Sequence, residues 1–379
     1  MKYLVFLWGL FWALPLNILP SFHGVKLDDL FLMLFLFLSL LNSRINDRLL
    51  IFVLLVTAYS TFYLLLSQNS MSHEPVVVYI RIIQSMLVVL FAYFLSKSHF
   101  KRAAFNGIIL GGLISALLFF NFLASNIDTS LFITKGSYLV KDVFQYDDRN
   151  PFSIHVNSLS NLLMMCFFCS FWIYTKSSNR SYLIYSFVFL LVPTLMMTKG
   201  VILGLVLAFL IIGYEKLYRL YGRALIIVFI LTGGLVFVFS LNYIHEFFSE
   251  FNINVSGRDN LYVGALRAFS DNFMGYGLDS QNTVLEQYTG INYPAHNFFL
   301  SVLLELGIFA FLFFLFVILG LFKHLINIED KFSLAVFVAF FITGMFGNLL
   351  YFYKLHFFIL CFTAYSGWLH VKKESTNCR

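Results

Sequence analysis

The stretch that decides the fold of this chain runs from Ser256 to Gly307 and ends in PAHNFFLSVLLELG at residues 294–307. It opens with SGRD at 256–259 and passes through GYG at 275–277. The first part is polar and carries charges, whereas the part after the HN pair is strongly apolar. A polar loop therefore leads directly into a very apolar helix. We expect the rest of the chain to be a membrane scaffold that holds this loop at one face.

The composition of the whole chain excludes an ordinary soluble domain. Of its 379 residues, 60% are hydrophobic and only 12% are charged, and 49 are phenylalanine. A soluble domain of this size could not bury so much apolar surface, so lipid is the expected solvent. Long apolar runs are present and alternating strands are absent, which favours helices over a barrel. The sequence predicts an all-α, polytopic bundle of about twelve transmembrane helices, one integral membrane domain over residues 1–379.

The distribution of Lys and Arg predicts the orientation of this bundle. One set of loops, which includes both ends of the chain, carries about twice as many basic residues as the other set, and cytoplasmic loops are the richer ones. Both termini are therefore expected in the cytoplasm. The two long loops, 125–153 and 242–296, then face outward. The net charge of +6 follows from this topology, so no nucleic-acid partner is expected.

The beginning of the large outer loop predicts a short helix. Ser256 and Asp259 resemble a capping box, and the apolar residues that follow recur at helical spacing, which indicates an amphipathic helix over 257–271. Arg258 lies in the first turn, where the helix dipole disfavours a cation. Either a bound anion or packing on Tyr262 would explain an arginine at this place.

The end of the same loop carries the HN pair. His296 and Asn297 stand where the loop becomes the next apolar span, predicted over 297–322. His296 is either a hydrogen-bonding residue at a helix start or a group suited to acid–base chemistry at the outer rim. Glu305, nine residues later, falls on the opposite helix face from His296 if the helix includes both. We therefore expect it to contact another helix.

Three further cations lie at places where an anion could bind. Arg81 lies within a predicted span, where it either extends to the interface or contacts a buried anion. Lys199 lies in MMTKG at 196–200, where an outward-facing helix begins and free amides favour anions, although a structural turn would also suit it. Arg149 follows Asp147 and Asp148 in the first outer loop; all three could touch a polar substrate or be solvated.

Two patterns bear on metal chemistry. The chain contains no D-x-D triplet, which is a common carboxylate clamp for a divalent cation on a sugar nucleotide or a lipid pyrophosphate. We therefore expect metal-independent chemistry and predict no cofactor. Cys166 and Cys169 form a C-x-x-C inside an apolar helix without further ligands nearby, which indicates packing and not a zinc site.

These motifs together resemble the O-antigen polymerase and O-antigen ligase superfamily. The matching pieces are SGR at 256–258, NFMGYG at 272–277 and HNFFLSVLLELGI at 296–308. Their order is also similar: many spans, a long outer loop, an HN pair that opens the next helix, and two more spans. The resemblance implies a type C glycosyltransferase fold in the bacterial inner membrane, with its active site at the periplasmic face.

The resemblance also implies a substrate and site residues. The donor would be an oligosaccharide on undecaprenyl pyrophosphate, and a chain-length regulator and a flippase would be partners in lipopolysaccharide or other polysaccharide biosynthesis. The catalytic residues of the family correspond to Arg258 and His296. Another family arginine corresponds to Lys199, which lacks the bidentate phosphate geometry of Arg. Arg81 or Arg149 could have taken over that role.

The chemistry of transfer from a pyrophosphate is consistent with these residues. Positive groups stabilise the charge that builds on the leaving oxygen, and a base removes the proton of the acceptor hydroxyl. Arg258, with Lys199 and Arg81, would hold the pyrophosphate, and His296 would be the base or would orient the acceptor in a single inverting step. The further candidates for substrate contacts are Arg149, Arg267 and Asn297.

Several functions are compatible with this pattern. A polysaccharide polymerase, with a second lipid-linked repeat unit as acceptor, is our first hypothesis because polymerases are more diverse in sequence. A ligase, with lipid A–core as acceptor, is the second. A lipid-linked oligosaccharide flippase is the alternative from another class, but transporters usually line a central path with charge. Here only Arg81 and Glu305 lie within predicted spans. A purely structural membrane protein is the last alternative.

Overall fold

The computed structural model describes the chain in segments and confirms an α-helical architecture within them, with one short pair of strands. The described residues are 1–15, 21–22, 25–42, 47–67, 76, 79–80, 82–84, 87, 90, 101–127, 140, 143–144, 150–152, 156–196, 198–213, 257–327 and 329–345. Among them, three helices are long and apolar enough to cross a membrane, namely Lys101–Asn126, Asn157–Ser177 and Phe298–Asn327. The count of about twelve transmembrane helices stays a prediction.

The described segments contain eleven helices longer than two turns. They are α1 (Lys2–Trp12), α2 (Leu27–Asn42), α3 (Asp47–Ser67), α4 (Lys101–Asn126), α5 (Val156–Ser177), α6 (Arg180–Leu195), α7 (Lys199–Gly213), α8 (Gly257–Asp271), α9 (Gln281–Thr289), α10 (Phe298–Asn327) and α11 (Lys331–Met345). Two short strands, β1 (Ser21–Phe22) and β2 (Val25–Lys26), form one antiparallel pair ahead of α2.

Small residues allow the bundle helices to pack closely. A Cβ added at Gly107 of α4 would overlap the Phe6 carbonyl of α1, and one at Gly204 of α7 would lie 2.6 Å from the Ala339 carbonyl of α11. Such close backbone contact is how membrane helices associate without a hydrophobic driving force. In α5, which contacts α4 and α6, the run from Leu162 to Cys169 is almost fully buried. Cys166 and Cys169 are both buried, in keeping with packing.

Helix α10 is broken at Gly307 and folds back on itself. Gly307 has φ 74° and ψ −174°, which is not helical. The ring centroids of Phe298 and Phe314 lie 4.7 Å apart, although sixteen residues of straight helix would separate them by about 24 Å. Phe299 also packs 6.3 Å from Phe314. Residues 298–306, the N-terminal arm, therefore lie against residues 308–327, the C-terminal arm, so the predicted continuous span over 297–322 is wrong.

The C-terminal arm still has the dimensions of a membrane span. Its twenty residues would extend about 30 Å, which matches the hydrocarbon thickness of a bilayer. Large apolar side chains are exposed along it, for example Phe309, Phe316 and Leu319. In a membrane these side chains meet lipid, so the arm that carries the HN pair is the inner, protein-packed one.

The loop with the GYG motif satisfies the backbone groups that the break releases. The amides of Tyr276 and Gly277 donate to the carbonyls of Leu304 and Glu305 at 2.8 and 3.1 Å, and the amide of Ile308 donates to Phe273 at 2.9 Å. The hydroxyl of Tyr59 in α3 donates to the carbonyl of Leu306 at 2.8 Å. Buried backbone groups need such partners, so the loop and the break stabilise each other.

The described part of the large loop forms a small helical unit on the N-terminal arm. Helix α8 has the bounds predicted from the sequence, and α9 was not predicted. Leu261, Ala265 and Ala268 of α8 pack with Val284 and Leu285 of α9, with Ala295 and with Leu304 of the arm. Ser280 precedes α9, and Gly290, with φ 71°, follows it. These two residues are the signal in the sequence that would have revealed α9.

Candidate functional site

His296 has an unusual backbone conformation just before α10. Its φ is +50°, a left-handed conformation that costs a non-glycine residue about 1–3 kcal/mol and is concentrated at functional sites. Histidine is among the residues that tolerate this region. Its half-buried ring meets Tyr293 edge to face, with centroids 4.8 Å apart. The backbone therefore fixes the imidazole at the start of the arm, outside the helix itself.

Asn297 caps the N-terminal arm. Its Oδ1 accepts the amides of Phe299 and Leu300 at 2.9 and 3.2 Å. Its Nδ2 donates to the Met345 carbonyl at the end of α11, at 3.4 Å. Both ends of the side-chain amide thus have structural partners. The predicted substrate contact of Asn297 stays a prediction, and its evident role is to fix His296 relative to α11.

The turn that carries Lys199 is packed against two neighbouring helices. The hydroxyls of Thr198 and of Ser160 in α5 share a hydrogen bond of 2.8 Å. The hydroxyl of Thr343 in α11 donates to the Gly200 carbonyl at 3.4 Å. Lys199 itself is the first residue of α7 and is exposed. The backbone of the turn is therefore held in place while the ammonium group stays accessible.

The last turn of α11 contacts both the Lys199 turn and the HN pair. Thr343 contacts the turn and Met345 contacts Asn297, and these two α11 residues are separated by only about 3 Å along the helix axis. Two segments that lie almost a hundred residues apart in sequence therefore both contact the last turn of α11. The sequence named both segments as candidates but contained no signal for α11 as the element that joins them.

Three helix N-termini meet in this region. Helix α7 begins at Lys199 and the arm begins after Asn297, while Ser160 ties the first turns of α5 to Thr198. Each N-terminus carries about half a positive charge, although Asn297 already accepts two of the first amides of the arm. Together with the Lys199 ammonium they create a positive field that favours a phosphate group. The electrostatics of the region therefore agree with those expected for an anionic substrate.

One buried polar atom near this region was not anticipated. Asn161, next to Ser160 in α5, is only 7% exposed, and its Oδ1 has no hydrogen-bond partner. An unpaired buried acceptor costs about 1–3 kcal/mol. Asparagine within an apolar membrane helix, NSLSN at 157–161, was the signal that the sequence offered.

The remaining predicted site residues are described in part or not at all. Arg258 lies in the first turn of α8, on the same helix face as Tyr262 and Ala265, but its side chain lies outside the described atoms. Arg267 is exposed on the opposite face of α8, because the nine residues between the two arginines make about two and a half turns. The other predicted residues, Arg81, Asp147, Asp148 and Arg149, lie outside the described residues. The loop near the last three is partly packed, since Phe144 and Phe152 are buried.

Glu305 supports the site from a distance. It is fully buried in the N-terminal arm, and its Oε2 accepts the amide of Asp279 at 3.3 Å. This contact is with the loop between GYG and α9, and the expected contact of Glu305 with another helix stays a prediction. Nearby, hydrogen bonds to Asp271 and then to Tyr276 raise the pKa of the Tyr288 hydroxyl above its usual value, so this tyrosine stays protonated and donates.

Comparison with known proteins gives one family match. Residues 157–315 match the family model described as O-antigen ligase, a range that includes the α5 start, the Lys199 turn and the HN pair. No curated protein matches the chain. The family match confirms the superfamily resemblance seen in the motifs and, together with the apolar helices, shows a membrane protein.

Proposed function

Because residues 157–315 match the family model described as O-antigen ligase and the motifs resemble the O-antigen polymerase and O-antigen ligase superfamily, we propose that this chain is a membrane glycosyltransferase of that superfamily and that it uses a polyprenyl-pyrophosphate-linked glycan as donor. Its acceptor is a second lipid-linked repeat unit, which makes it a polysaccharide polymerase. The observation that carries the proposal is that the Lys199 turn and the HN pair both contact the last turn of α11. A cation and a base are the two groups that this transfer needs.

The proposed reaction is a single displacement at the anomeric carbon. The acceptor hydroxyl oxygen attacks this carbon and forms the new glycosidic bond, while the bond between the anomeric carbon and the phosphate oxygen breaks. The electron pair stays with the leaving polyprenyl pyrophosphate, and His296 takes the hydroxyl proton. Attack opposite the leaving group inverts the anomeric configuration. The step needs positive charge at the pyrophosphate and a correctly placed base, without a metal.

We assign a different substrate contact to each cation of the proposed site. Lys199 lies at the start of α7 and contacts the pyrophosphate together with the free amides of that helix. Arg258 enters from the first turn of α8, and Arg81 is a further candidate from its predicted span. Arg149 and Arg267 are proposed to contact the glycan. The lipid tail lies along the bundle surface, since the donor is held at the membrane.

A change of charge at position 199 should separate this role from a structural one. Lys199→Gln is expected to lower the transfer rate about 10–100-fold. A buried contact to a developing oxyanion stabilises the transition state by more than this. Lys199 is exposed to solvent, so it supplies only part of that stabilisation. Lys199→Arg should keep the rate or raise it, since guanidinium binds phosphate with two parallel hydrogen bonds. The measurement is polymer formation from purified lipid-linked repeat units in nanodiscs.

Lys323 provides the matched control for this experiment. It is an exposed lysine near the far end of α10, so Lys323→Gln removes the same charge away from the site. We expect it to retain the wild-type rate. If both Gln variants lose the same activity, the effect of Lys199 is a general effect of charge, and its role at the pyrophosphate is refuted.

The acceptor is tested by the glycolipids of a strain that lacks this protein. If the protein is a polymerase, lipid A–core should carry a single repeat unit in that strain. If the protein is a ligase, core should be bare and lipid-linked polymer should accumulate. Separation of extracted glycolipids by size distinguishes the two patterns. The proposed setting is the bacterial inner membrane, with both termini cytoplasmic, the 125–153 and 242–296 loops in the periplasm, and a flippase and chain-length regulator as partners.

A further inference from the structure

Tyr293 has no role in the mechanism above, yet its ring lies beside the proposed base. It is 50% exposed, and its ring meets the His296 ring at 4.8 Å and an interplanar angle of 62°. An edge-to-face contact covers at most one face of one of the two rings. A large part of the Tyr293 ring is therefore available to a ligand that also reaches His296.

The backbone around Tyr293 holds this ring in a defined place. The Tyr293 amide donates to the Ile291 carbonyl at 3.0 Å, Pro294 follows directly, and Ala295 is fully buried in the α8–α9 cluster. The positive φ of His296 completes a compact turn. An exposed aromatic ring on a loop that is fixed on both sides is a preformed surface, so little conformational entropy is lost when a ligand binds it.

Polar groups border the ring. The Nδ2 of Asn292, the residue before Tyr293, donates to the Oε2 of Glu286 in α9 at 2.8 Å, and the pair is exposed. The second donor of the amide and the other carboxylate oxygen remain able to bind hydroxyl groups. An aromatic face with an adjacent amide and carboxylate combines an apolar contact with both hydrogen-bond donors and acceptors, as a sugar ring requires.

We propose that Tyr293, with Asn292 and Glu286, forms a subsite for the acceptor sugar whose hydroxyl group His296 deprotonates. A pyranose presents one face of C–H groups, which are weakly positive and complement the negative face of an aromatic ring. Stacking on Tyr293 places the hydroxyls of that sugar toward the imidazole beside it. The inference rests on the proposed function for the identity of the base, but the subsite itself is a statement about carbohydrate binding.

The test compares variants that keep the ring with variants that remove it. Transfer is measured in nanodiscs with the lipid-linked repeat unit that accumulates in cells lacking this protein. Tyr293→Phe should behave as wild type, whereas Tyr293→Leu and Tyr293→Gln should raise KM for the glycolipid about 5- to 10-fold with kcat nearly unchanged. The control is Phe273→Leu, which changes an exposed aromatic residue in the connection between α8 and α9. It should have no effect on KM or kcat.

Three outcomes would overturn the subsite. An unchanged KM in both ring-removing variants shows that no sugar stacks on Tyr293. A fall in kcat alone shows that the ring only positions His296, and a Tyr293→Phe variant as weak as Tyr293→Leu shows that the hydroxyl and not the ring matters. Since Leu and Gln are both tolerated at exposed loop positions, misfolding of one variant leaves the other to decide.

A binding measurement separates this inference from the proposed function. The repeat-unit oligosaccharide, released from its lipid by mild acid, is mixed with the protein, and saturation transfer to the sugar C–H protons is recorded by NMR. Transfer that is present with wild type and Tyr293→Phe but lost with Tyr293→Leu supports the subsite even if no polymer forms. Polymer formation with equal saturation transfer in all three proteins refutes the subsite and leaves the proposed function intact.

Discussion

Replacing His296 with asparagine should lower the rate of glycan transfer about 10²–10⁴-fold, the usual contribution of a general base. Asparagine is chosen because it tolerates the left-handed conformation that this position requires. In an alanine variant, the φ of +50° would add backbone strain. A lower rate could then come either from loss of the imidazole or from a distorted turn, and the two causes could not be separated. The rate is measured as polymer formed from lipid-linked repeat units in nanodiscs, with the thermal midpoint recorded in parallel.

A glycine at the same position gives the matched control. His296→Gly relieves the backbone strain and leaves a space where the ring was, so added imidazole should restore part of the lost rate if a base is what is missing. Asn297→Ala, in contrast, removes the cap of the N-terminal arm and should cost about 1 kcal/mol of stability without rescue. A His296→Asn enzyme within threefold of wild type would exclude His296 as the base.

The sequence could predict the parts of the site that are set by local patterns. The spacing of apolar residues after a capping box predicted α8 at its observed bounds, and the start of an apolar run after HN predicted the start of α10. The TKG turn was likewise identified as a helix start. Each of these depends on a few neighbouring residues, so a single sequence contains the necessary information.

The fold-back of α10 could not be predicted in the same way. The residues on both sides of Gly307 form a long apolar run in which Ser301 and Glu305 are the only polar side chains between 298 and 314, and an isolated glycine within such a run is usually tolerated in a helix. The break depends on contacts from distant segments: Tyr59 from α3 and the amides of Tyr276 and Gly277. The same holds for the end of α11, whose carbonyl contact to Asn297 is defined only by the folded chain.

The fold-back has a consequence for where the site lies. His296 and Asn297 precede an arm of nine residues that returns alongside the C-terminal arm, so they lie about 14 Å along the axis from the Gly307 turn. With the predicted orientation, the HN pair is therefore recessed below the turn and not placed at the rim. A recessed position brings the base closer to the low-dielectric interior, which strengthens its interaction with charged groups.

Gly307→Ala is accordingly expected to have the second large effect, a loss of about 3 kcal/mol or more of stability together with loss of transfer activity. The φ of 74° with ψ of −174° is open essentially to glycine alone, and a Cβ there would overlap the backbone of Met274; both costs add. The measurements are the thermal midpoint in detergent and the rate in nanodiscs. Because the arm carries the HN pair, activity should fall even at temperatures where the variant stays folded.

Gly320 in the same helix supplies the control. Its surroundings are open, with nothing within 4 Å of an added Cβ, so Gly320→Ala should be neutral or stabilising by up to about 1 kcal/mol.

The fold-back itself is measured by cross-linking of cysteines introduced at positions 298 and 314. A short bifunctional reagent should link them, since the phenylalanine rings at these positions lie 4.7 Å apart. The link should persist with Gly320→Ala and be lost with Gly307→Ala. A link that survives Gly307→Ala at full strength would mean that the turn does not depend on glycine, and the explanation of the recessed site would then have to rest on the GYG loop alone.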